Sequence, residues 1–342
     1  MEVVGDIMKR LFLPNSYASK LDLMETEIAI KFVKDLFEKK LADALDLTRV
    51  SAPLFVHPST GLNDELSGSE RRVAFDIKNI SESVEIVQSL AKWKRNALAK
   101  YNFSKGTGLY TDMNAIRRDE DVDSLHSAYV DQWDWEKIIN YEDRNFDYLK
   151  DTVKSIYKTL LDVETLVYER FNVLKPCLPK DIYFITTSEL EKRYPDKTPN
   201  EREYLICKEH KAVFLSQIGV SLSDGKPHDM RAADYDDWLL NGDILLYYKE
   251  LDIALEISSM GIRVDENSII NQLSAKGEMR KISNPYVQGI INKKLPYTIG
   301  GGIGQSRLCM FFLKKAHIGE VQASIWPDED LELLKEYNIH LL

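Results

Sequence analysis

The stretch Gly300-Gly301-Gly302-Ile303-Gly304-Gln305-Ser306-Arg307 runs straight into the apolar segment Leu308-Cys309-Met310-Phe311-Phe312-Leu313. No other stretch constrains the fold as tightly. Four glycines in five positions allow positive φ and close approach of backbone to a ligand. The apolar segment predicts a buried helix. Loop N–H groups and a helix N-terminus together favour an anion, which points to phosphate. No Gly-Lys-Ser/Thr follows, so this is not a P-loop. Arg307 stands where the third glycine of a dinucleotide fingerprint would be. An arginine opening the helix brings a planar guanidinium that can pair with phosphate or stack on a base. The same pattern also suits a tight turn packing a helix on a sheet, so the rest of the chain has to decide.

The chain has 342 residues, 44% of them hydrophobic, enough for one large domain with a substantial core. A net charge of −10 argues against broad electrostatic binding to nucleic acid or anionic membrane. The three cysteines, Cys177, Cys207 and Cys309, are scattered without metal-ligand spacing, which fits a reduced, cytoplasmic compartment. No signal peptide or membrane span is expected.

Residues 1–25 are expected to form an irregular arm with a turn near Pro14-Asn15, and residues 26–342 a single domain. From Thr26, read as an N-cap, to Leu45, apolar residues including Ile28, Phe32, Val33, Phe37 and Leu41 recur at helical spacing. Leu47 to Val56 is predicted as a strand, confined by Pro53 to an edge or an end. Arg72 to Ile77 alternates like a half-buried strand. Ser89-Leu90-Ala91-Lys92-Trp93-Lys94-Arg95 starts a helix whose three cations would ordinarily form a solvated face. Strands are predicted at Gly108–Arg117 and Ala128–Trp135. In the second, Trp133 and Trp135 take the core face, which turns Gln132 and Asp134 toward a cavity or solvent. A long amphipathic helix, Tyr141 to Phe171, precedes strands at 182–185 and 212–215 and the acidic loop Asp234-Tyr235-Asp236-Asp237-Trp238. Strands at 243–248 and 254–264 and a helical region to Lys293 follow. Strands cluster with few helices between them, which predicts an α+β fold with a largely antiparallel sheet flanked by helices.

Three segments resemble, in order, the signature motifs of class II aminoacyl-tRNA synthetases. These are helix 26–45 leading into Val50-Ser51-Ala52-Pro53, the strand reaching Arg117-Arg118-Asp119-Glu120, and Gly300 to Arg307. Further runs resemble the ammonia-dependent asparagine synthetases (aspartate–ammonia ligases of the A type). They are Ser89 to Lys94, Tyr129-Val130-Asp131-Gln132-Trp133-Asp134-Trp135-Glu136, Leu222-Ser223-Asp224-Gly225, Asp234 to Asp237, and Glu256-Ile257-Ser258-Ser259-Met260-Gly261-Ile262-Arg263. The resemblance spans residues 26–342. It departs at Gln88, where members often carry His, and at 238–241, where the chain is shorter and a nucleotide flap is expected to be trimmed.

The resemblance implies a class II synthetase-like catalytic core acting as a homodimer without nucleic acid. It would make asparagine from aspartate, ammonia and ATP, with Mg²⁺, through β-aspartyl-AMP. Arg117 would grip the α-phosphate. Asp236, Asp243, Glu256, Ser259 and Arg307 would complete the ATP site, with Asp243 and Glu256 as hard oxygen ligands of the metal. Lys94, Ser89 and Arg263 would bind aspartate, and Asp134 or Asp64 would receive its ammonium. Asp64 is the expected base toward ammonium, and Gln132 would orient the β-carbonyl. A tRNA-charging enzyme would need a basic surface and an anticodon module; a regulator that had kept only the fold would have no use for ATP ligands.

Overall fold

The computed structural model describes residues 11–14, 16–66 and 70–342. Helix α1 (Leu23–Leu45) starts earlier than its apolar periodicity suggests. Asp22, not Thr26, is the N-cap, closing a capping box with Glu25. Thr26 is buried and spends its hydroxyl on the Asp22 carbonyl at 2.6 Å. The buried stripe of α1 is Ala29, Val33, Phe37 and Leu41, while Leu23, Met24 and Ile28 stay exposed.

The segment read as one strand at 47–56 divides. Strand β1 (Leu47–Arg49) lies parallel to β5 (Gly108–Ile116), and β2 (Phe55–Val56) joins β3 (Ala74–Ile77) and β4 (Ile80–Ile86) in a small separate sheet. Pro53 falls between them, where no ladder N–H is needed. Strand β3 is exposed on both faces, not half-buried.

Among the described residues the main sheet has eight strands in the order β1-β5-β6-β11-β10-β9-β8-β7. Its remaining members are β6 (Tyr129–Ile138), β7 (Tyr183–Thr186), β8 (Ala212–Ser216), β9 (Asp236–Tyr248), β10 (Ile253–Arg263) and β11 (Thr298–Gly304). Pairs β1·β5 and β7·β8 are parallel; the others are antiparallel. One face carries the main core. There α1, α3 (Phe146–Arg170) and the apolar helix ending the glycine motif (Gln305–Leu313) cover Trp133 and Trp135, with the Phe37 ring 4.9 Å from that of Trp133. The other face carries α2 (Ala91–Lys100) at its centre. The small helices α4 (Thr187–Arg193), α5 (Pro199–His210), α6 (Ser268–Ala275) and α7 (Pro285–Ile291) complete the layers; the helix at 305–313 is α8, and α9 (Asp328–Glu336) is followed by the irregular residues 337–342.

The glycine motif is not a loop. Gly300, Gly301 and Gly302 lie in the interior of β11, and none takes a positive φ. What the strand needs from them is a missing side chain. A Cβ on Gly300 would stand 2.4 Å from Glu136 Oε2, and one on Gly302 2.4 Å from Gln132 Oε1. The described part of the N-terminal arm is packed: Leu11 is buried against Leu334 and Ile339, and the Tyr17 hydroxyl donates to Glu320 at 2.7 Å. The Pro14-Asn15 turn is partly described by a bond from Tyr17 N to Pro14 O at 3.0 Å; Asn15 and residues 1–10 lie outside the described residues.

Candidate active site

Alternation along β6 sets the site. Trp133 and Trp135 enter the core, so Gln132, Asp134 and Glu136 project from the opposite face. There they meet the bare glycine floor of β11 and the end of β10, which brings Arg263. The result is a cleft of about 390 Å³, within the range of small-molecule sites.

One end of the cleft is a buried lattice of charge. Arg263 Nε and Nη2 donate to Glu136, the shorter contact being 2.9 Å, and Nη1 pairs with Asp236. Thr298 Oγ1 donates to Glu136 at 2.7 Å. Lys94 Nζ donates to the Gly301 carbonyl at 2.9 Å and lies 3.3 Å from Asp134 Oδ1. Burial pulls the Lys94 ammonium down, with Asp134 opposing. Burial works against the Glu136 charge too, yet Arg263 and then Lys94 hold its carboxyl below the usual range. For Asp236 burial wins, and its carboxyl is raised. Arg263, which lines the cleft, has five N–H donors, and these partners leave two uncommitted among the described residues. Ser89 lines the same end, its hydroxyl accepting from Ala91 N at 3.1 Å.

The cations of α2 do not form a solvated face. Lys92 pairs with Asp234 at 3.2 Å, Lys94 enters the cleft floor, and Arg95 donates to the Pro296 and Val264 carbonyls at 2.8 Å each. The acidic loop is likewise not a solvated one: Asp234 meets Lys92, Asp236 opens β9 against Arg263, and Asp237 meets Arg144 at 2.8 Å. Residues 238–241 run on as part of β9, with Leu239 exposed.

At the other end the cations are lightly engaged. Arg117 follows β5 and reaches Glu120 only at 3.9 Å, and its Nε is buried without a partner among the described residues. Arg307, on the first turn of α8, donates to the Glu256 carbonyl at 3.3 Å. Asp131 fixes that turn: it accepts from Ser306 N at 3.1 Å, Ser306 Oγ at 2.8 Å and Lys34 of α1 at 3.0 Å. Glu256 and Ser259 line the wall between the two ends.

Asp243 does not line the cleft. It sits opposite Ser259 in the β9·β10 ladder, paired with Arg231, and Arg231 forms the cleft wall in front of it. Burial raises the Asp243 carboxyl well above the usual range, with Arg231 opposing and Glu256 adding to the rise. Among the described residues no group of three or more His, Cys, Asp or Glu side chains is arranged for a metal ion. Asp243 and Glu256 nevertheless fit a Mg²⁺ that takes its other ligands from a nucleotide. Their charges repel, and Asp243 Oδ1 is buried toward Ser259 with no cation on it among the described residues.

Asp64 lies 3% exposed at the cleft edge, with Oδ1 accepting from Leu66 N at 3.1 Å. Of its loop, Ser67 and Gly68 lie outside the described residues. Tyr235 faces the same space; burial, then Asp64 and Asp236, push its phenol well up, so it stays neutral. Gln88 is fully buried, and neither polar atom of its amide has a partner among the described residues. Its backbone N–H donates to Asn63 Oδ1 at 2.9 Å.

The sequence reading missed Glu136, Arg231, Tyr235 and Asp131. Glu136 was within reach, since it continues the period-two face of Gln132 and Asp134. Arg231 lies outside any regular element, where no periodicity marks it.

A β11–α8 glycine floor under two sets of cations, in an antiparallel sheet carrying an edge helix–strand–proline unit, defines a class II aminoacyl-tRNA synthetase-like core. The fold is similar to that of asparaginyl-tRNA synthetase from Pyrococcus horikoshii, solved complexed with asparaginyl-adenylate. That likeness has a TM-score of 0.66 at 16% identity and covers 88% of this chain and 70% of that one. Aspartyl-tRNA synthetase from Entamoeba histolytica is also similar, with a TM-score of 0.59 at 16% identity, covering 87% and 58%. Within that class the chain belongs to the aspartate–ammonia ligase family, whose family model matches residues 24–338. It is 59% identical over 337 residues to the aspartate–ammonia ligase of Clostridium perfringens (strain SM101 / Type A), covering 98% of this chain and 100% of that protein. To the enzyme of that name from Fusobacterium nucleatum it is 60% identical over 327 residues, covering 96% and 100%.

Proposed function

We propose that this chain makes L-asparagine from L-aspartate, ammonia and ATP through β-aspartyl-AMP, releasing pyrophosphate and then AMP. The observation that carries this reading is the continuity of the cleft. A fixed lattice of Lys94, Asp134 and Arg263 at one end meets under-engaged Arg117 and Arg307 at the other across a floor without side chains. Membership of the aspartate–ammonia ligase family agrees with it.

In the first step an oxygen of the aspartate β-carboxylate attacks the α-phosphorus, and pyrophosphate leaves. Two anions must approach, so the cations do the main work. Arg117 receives the α-phosphate through donors that the protein leaves free. Arg307 covers the adenine face. Lys94 and the uncommitted N–H groups of Arg263 take the substrate carboxylates, with Ser89 donating beside them. Glu136 and Asp236 hold Arg263 in one orientation. Asp134, already a partner of Lys94, takes the substrate ammonium. Asp243 and Glu256 would hold Mg²⁺, with Ser259 beside them, and the ion would neutralise phosphate oxygens.

In the second step ammonia attacks the β-carbonyl and AMP leaves. Ammonium predominates at neutral pH, so a carboxylate has to attract the cation and accept a proton. We assign this to Asp64, which lines the cleft and commits one oxygen to its own turn. Gln132, on the floor between the two ends, orients the carbonyl. We further read residues 26–342 as one catalytic domain with an N-terminal arm, working as a cytoplasmic homodimer without nucleic acid. No helix among the described residues is long and apolar enough to cross a membrane.

The test is aspartate-dependent exchange of pyrophosphate into ATP, followed by asparagine formation on adding ammonium. Exchange without asparagine formation would place the second step elsewhere. No exchange would overturn the adenylate route.

A further inference from the structure

We propose that Arg231 is a built-in counter-ion. It occupies the cation position of the metal carboxylates while the nucleotide site is empty, and yields it when metal arrives with ATP. The proposal rests on reading Asp243 and Glu256 as those carboxylates.

Three observations support it. First, Arg231, not Asp243, forms the cleft wall beside Glu256 and Ser259, so a cation entering from the cleft meets the guanidinium before it meets Asp243. Second, the pairing is incomplete. Arg231 Nη2 pairs with one Asp243 oxygen, while the other is buried toward Ser259 with no cation on it among the described residues. A single positive charge that meets only one oxygen of the carboxylate is a poorer occupant than a divalent ion, which brings two charges and radial coordination. Third, a way out is built in. Arg231 Nη1 already lies 3.4 Å from Asp229, whose side chain is 59% exposed, whereas Asp243 is fixed inside β9. The Arg231 carbonyl is held by Lys276 Nζ at 3.1 Å, so the side chain can swing from inner to outer carboxylate about an anchored backbone.

The consequence is an order of binding. With Arg231 in place, metal alone is excluded from Asp243. A metal–nucleotide complex brings phosphate oxygens as additional ligands and displaces the guanidinium. A carboxylate pair masked in this way does not collect free divalent ions.

The experiment uses Mn²⁺ as the probe and counts the free ion by electron paramagnetic resonance, with no nucleotide present. Arg231→Gln should bind Mn²⁺ about tenfold or more tighter than the parent, because one close positive charge is gone. Arg231→Lys, which keeps the charge, should stay near the parent. The gain should disappear in the double variant Arg231→Gln/Asp243→Asn. Parent-like affinity in Arg231→Gln, a gain in Arg231→Lys equal to that in Arg231→Gln, or a gain that survives Asp243→Asn would each overturn the proposal. Thermal melts provide a folding control: if Arg231→Gln melts early, Mn²⁺ should raise its Tm more than the parent's, and equal shifts would count against masking. The underlying reading is tested separately, by Mn²⁺ binding to Asp243→Asn with α,β-methylene-ATP. Unchanged binding there would remove Asp243 from the metal site whatever Arg231 does.

Discussion

Arg263 and Glu136 meet side-on in the cleft floor, both fully buried, with Nε and Nη2 of the guanidinium shared on one carboxylate. That contact exists only because residue 300 is glycine. A Cβ there would lie 2.4 Å from Glu136 Oε2 and 2.7 Å from Arg263 Nη2. Gly300→Ala should therefore displace Arg263, at a stability cost of about 1–3 kcal/mol for an overpacked site. The KM for aspartate should rise far more than that for ATP, because Arg117 and Arg307 are untouched. Steady-state kinetics with each substrate varied would check this, and equal changes in both KM values would count against it.

Arg117 stands at the other end with a buried Nε that no described residue meets. Arg117→Ala should leave the melting temperature close to the parent's, since little of the fold depends on its single 3.9 Å pairing. Aspartate-dependent exchange should fall by roughly two to three orders of magnitude, the scale of a lost transition-state donor. Near-parental exchange would remove Arg117 from the phosphate site.

The small sheet exposes apolar side chains that a solitary subunit would not need. Leu54, Phe55, Phe75 and Ile80 are each 37–48% exposed, and the Phe55 and Phe75 rings stand 5.3 Å apart. If this surface meets a second copy, Leu54→Asp should bury an unpaired charge in the dimer at a cost of about 3–5 kcal/mol while sparing the monomer fold. Light scattering should show a dimer for the parent and dissociation for the variant. A monomeric parent would end the idea.

His317 gives a pH dependence of stability. It is buried against Trp326, and its Nδ1 accepts from Gly319 N at 3.0 Å. Burial lowers its pKa to about 4. The folded state thus holds fewer protons than the unfolded state between about pH 6.5 and 4. Its contribution is fully present above about pH 6.5 and is lost as the pH falls through 4, on the order of 3 kcal/mol in all. Neighbouring Glu320, raised mainly by burial, works in the opposite sense as it protonates. The comparison is therefore with His317→Asn, whose amide oxygen can still accept from Gly319 N. Urea unfolding at pH 7 and pH 4.5 should show a smaller acid loss for the variant than for the parent; equal losses would acquit His317.

Period-two alternation in β6 was legible in the sequence, so Gln132 and Asp134 could be turned away from the core, toward a cavity or solvent, before any fold was known. The arrangement of α2 was not. Lys92 meets Asp234 across 142 residues of chain and Lys94 meets Gly301 across 207, and nothing local reports such partners. Local propensity also misled at Gly300–Gly302. Glycine favours loops, but here tertiary packing needs a strand with nothing on it, because Glu136, Arg263 and Gln132 fill the space over Gly300 and Gly302, and Met260 with the Ser259 carbonyl fills that over Gly301. Asp243 is a subtler case. Its strand was foreseen, but its screening by Arg231 depends on an irregular segment that carries no pattern.

The two chemical steps separate at Asp64. Its carboxylate is almost fully buried, is held by its own turn through Leu66 N, and faces the cleft without a cationic side-chain partner among the described contacts. Asp64→Asn keeps the shape and can still accept from Leu66 N through its amide oxygen, so the turn should survive. It can neither attract ammonium nor take a proton. Aspartate-dependent exchange should therefore persist, while asparagine formation falls by roughly the 10²–10⁴-fold of a lost general base. Raising the pH toward the pKa of ammonium should rescue the variant more than the parent, because more of the nucleophile then arrives already neutral. The measurement is the two rates side by side across that pH range. Joint failure of both steps would make Asp64 an aspartate-binding or loop-holding residue. Survival of both would move the search for the base to Asp134, whose partner Lys94 already stands 3.3 Å away.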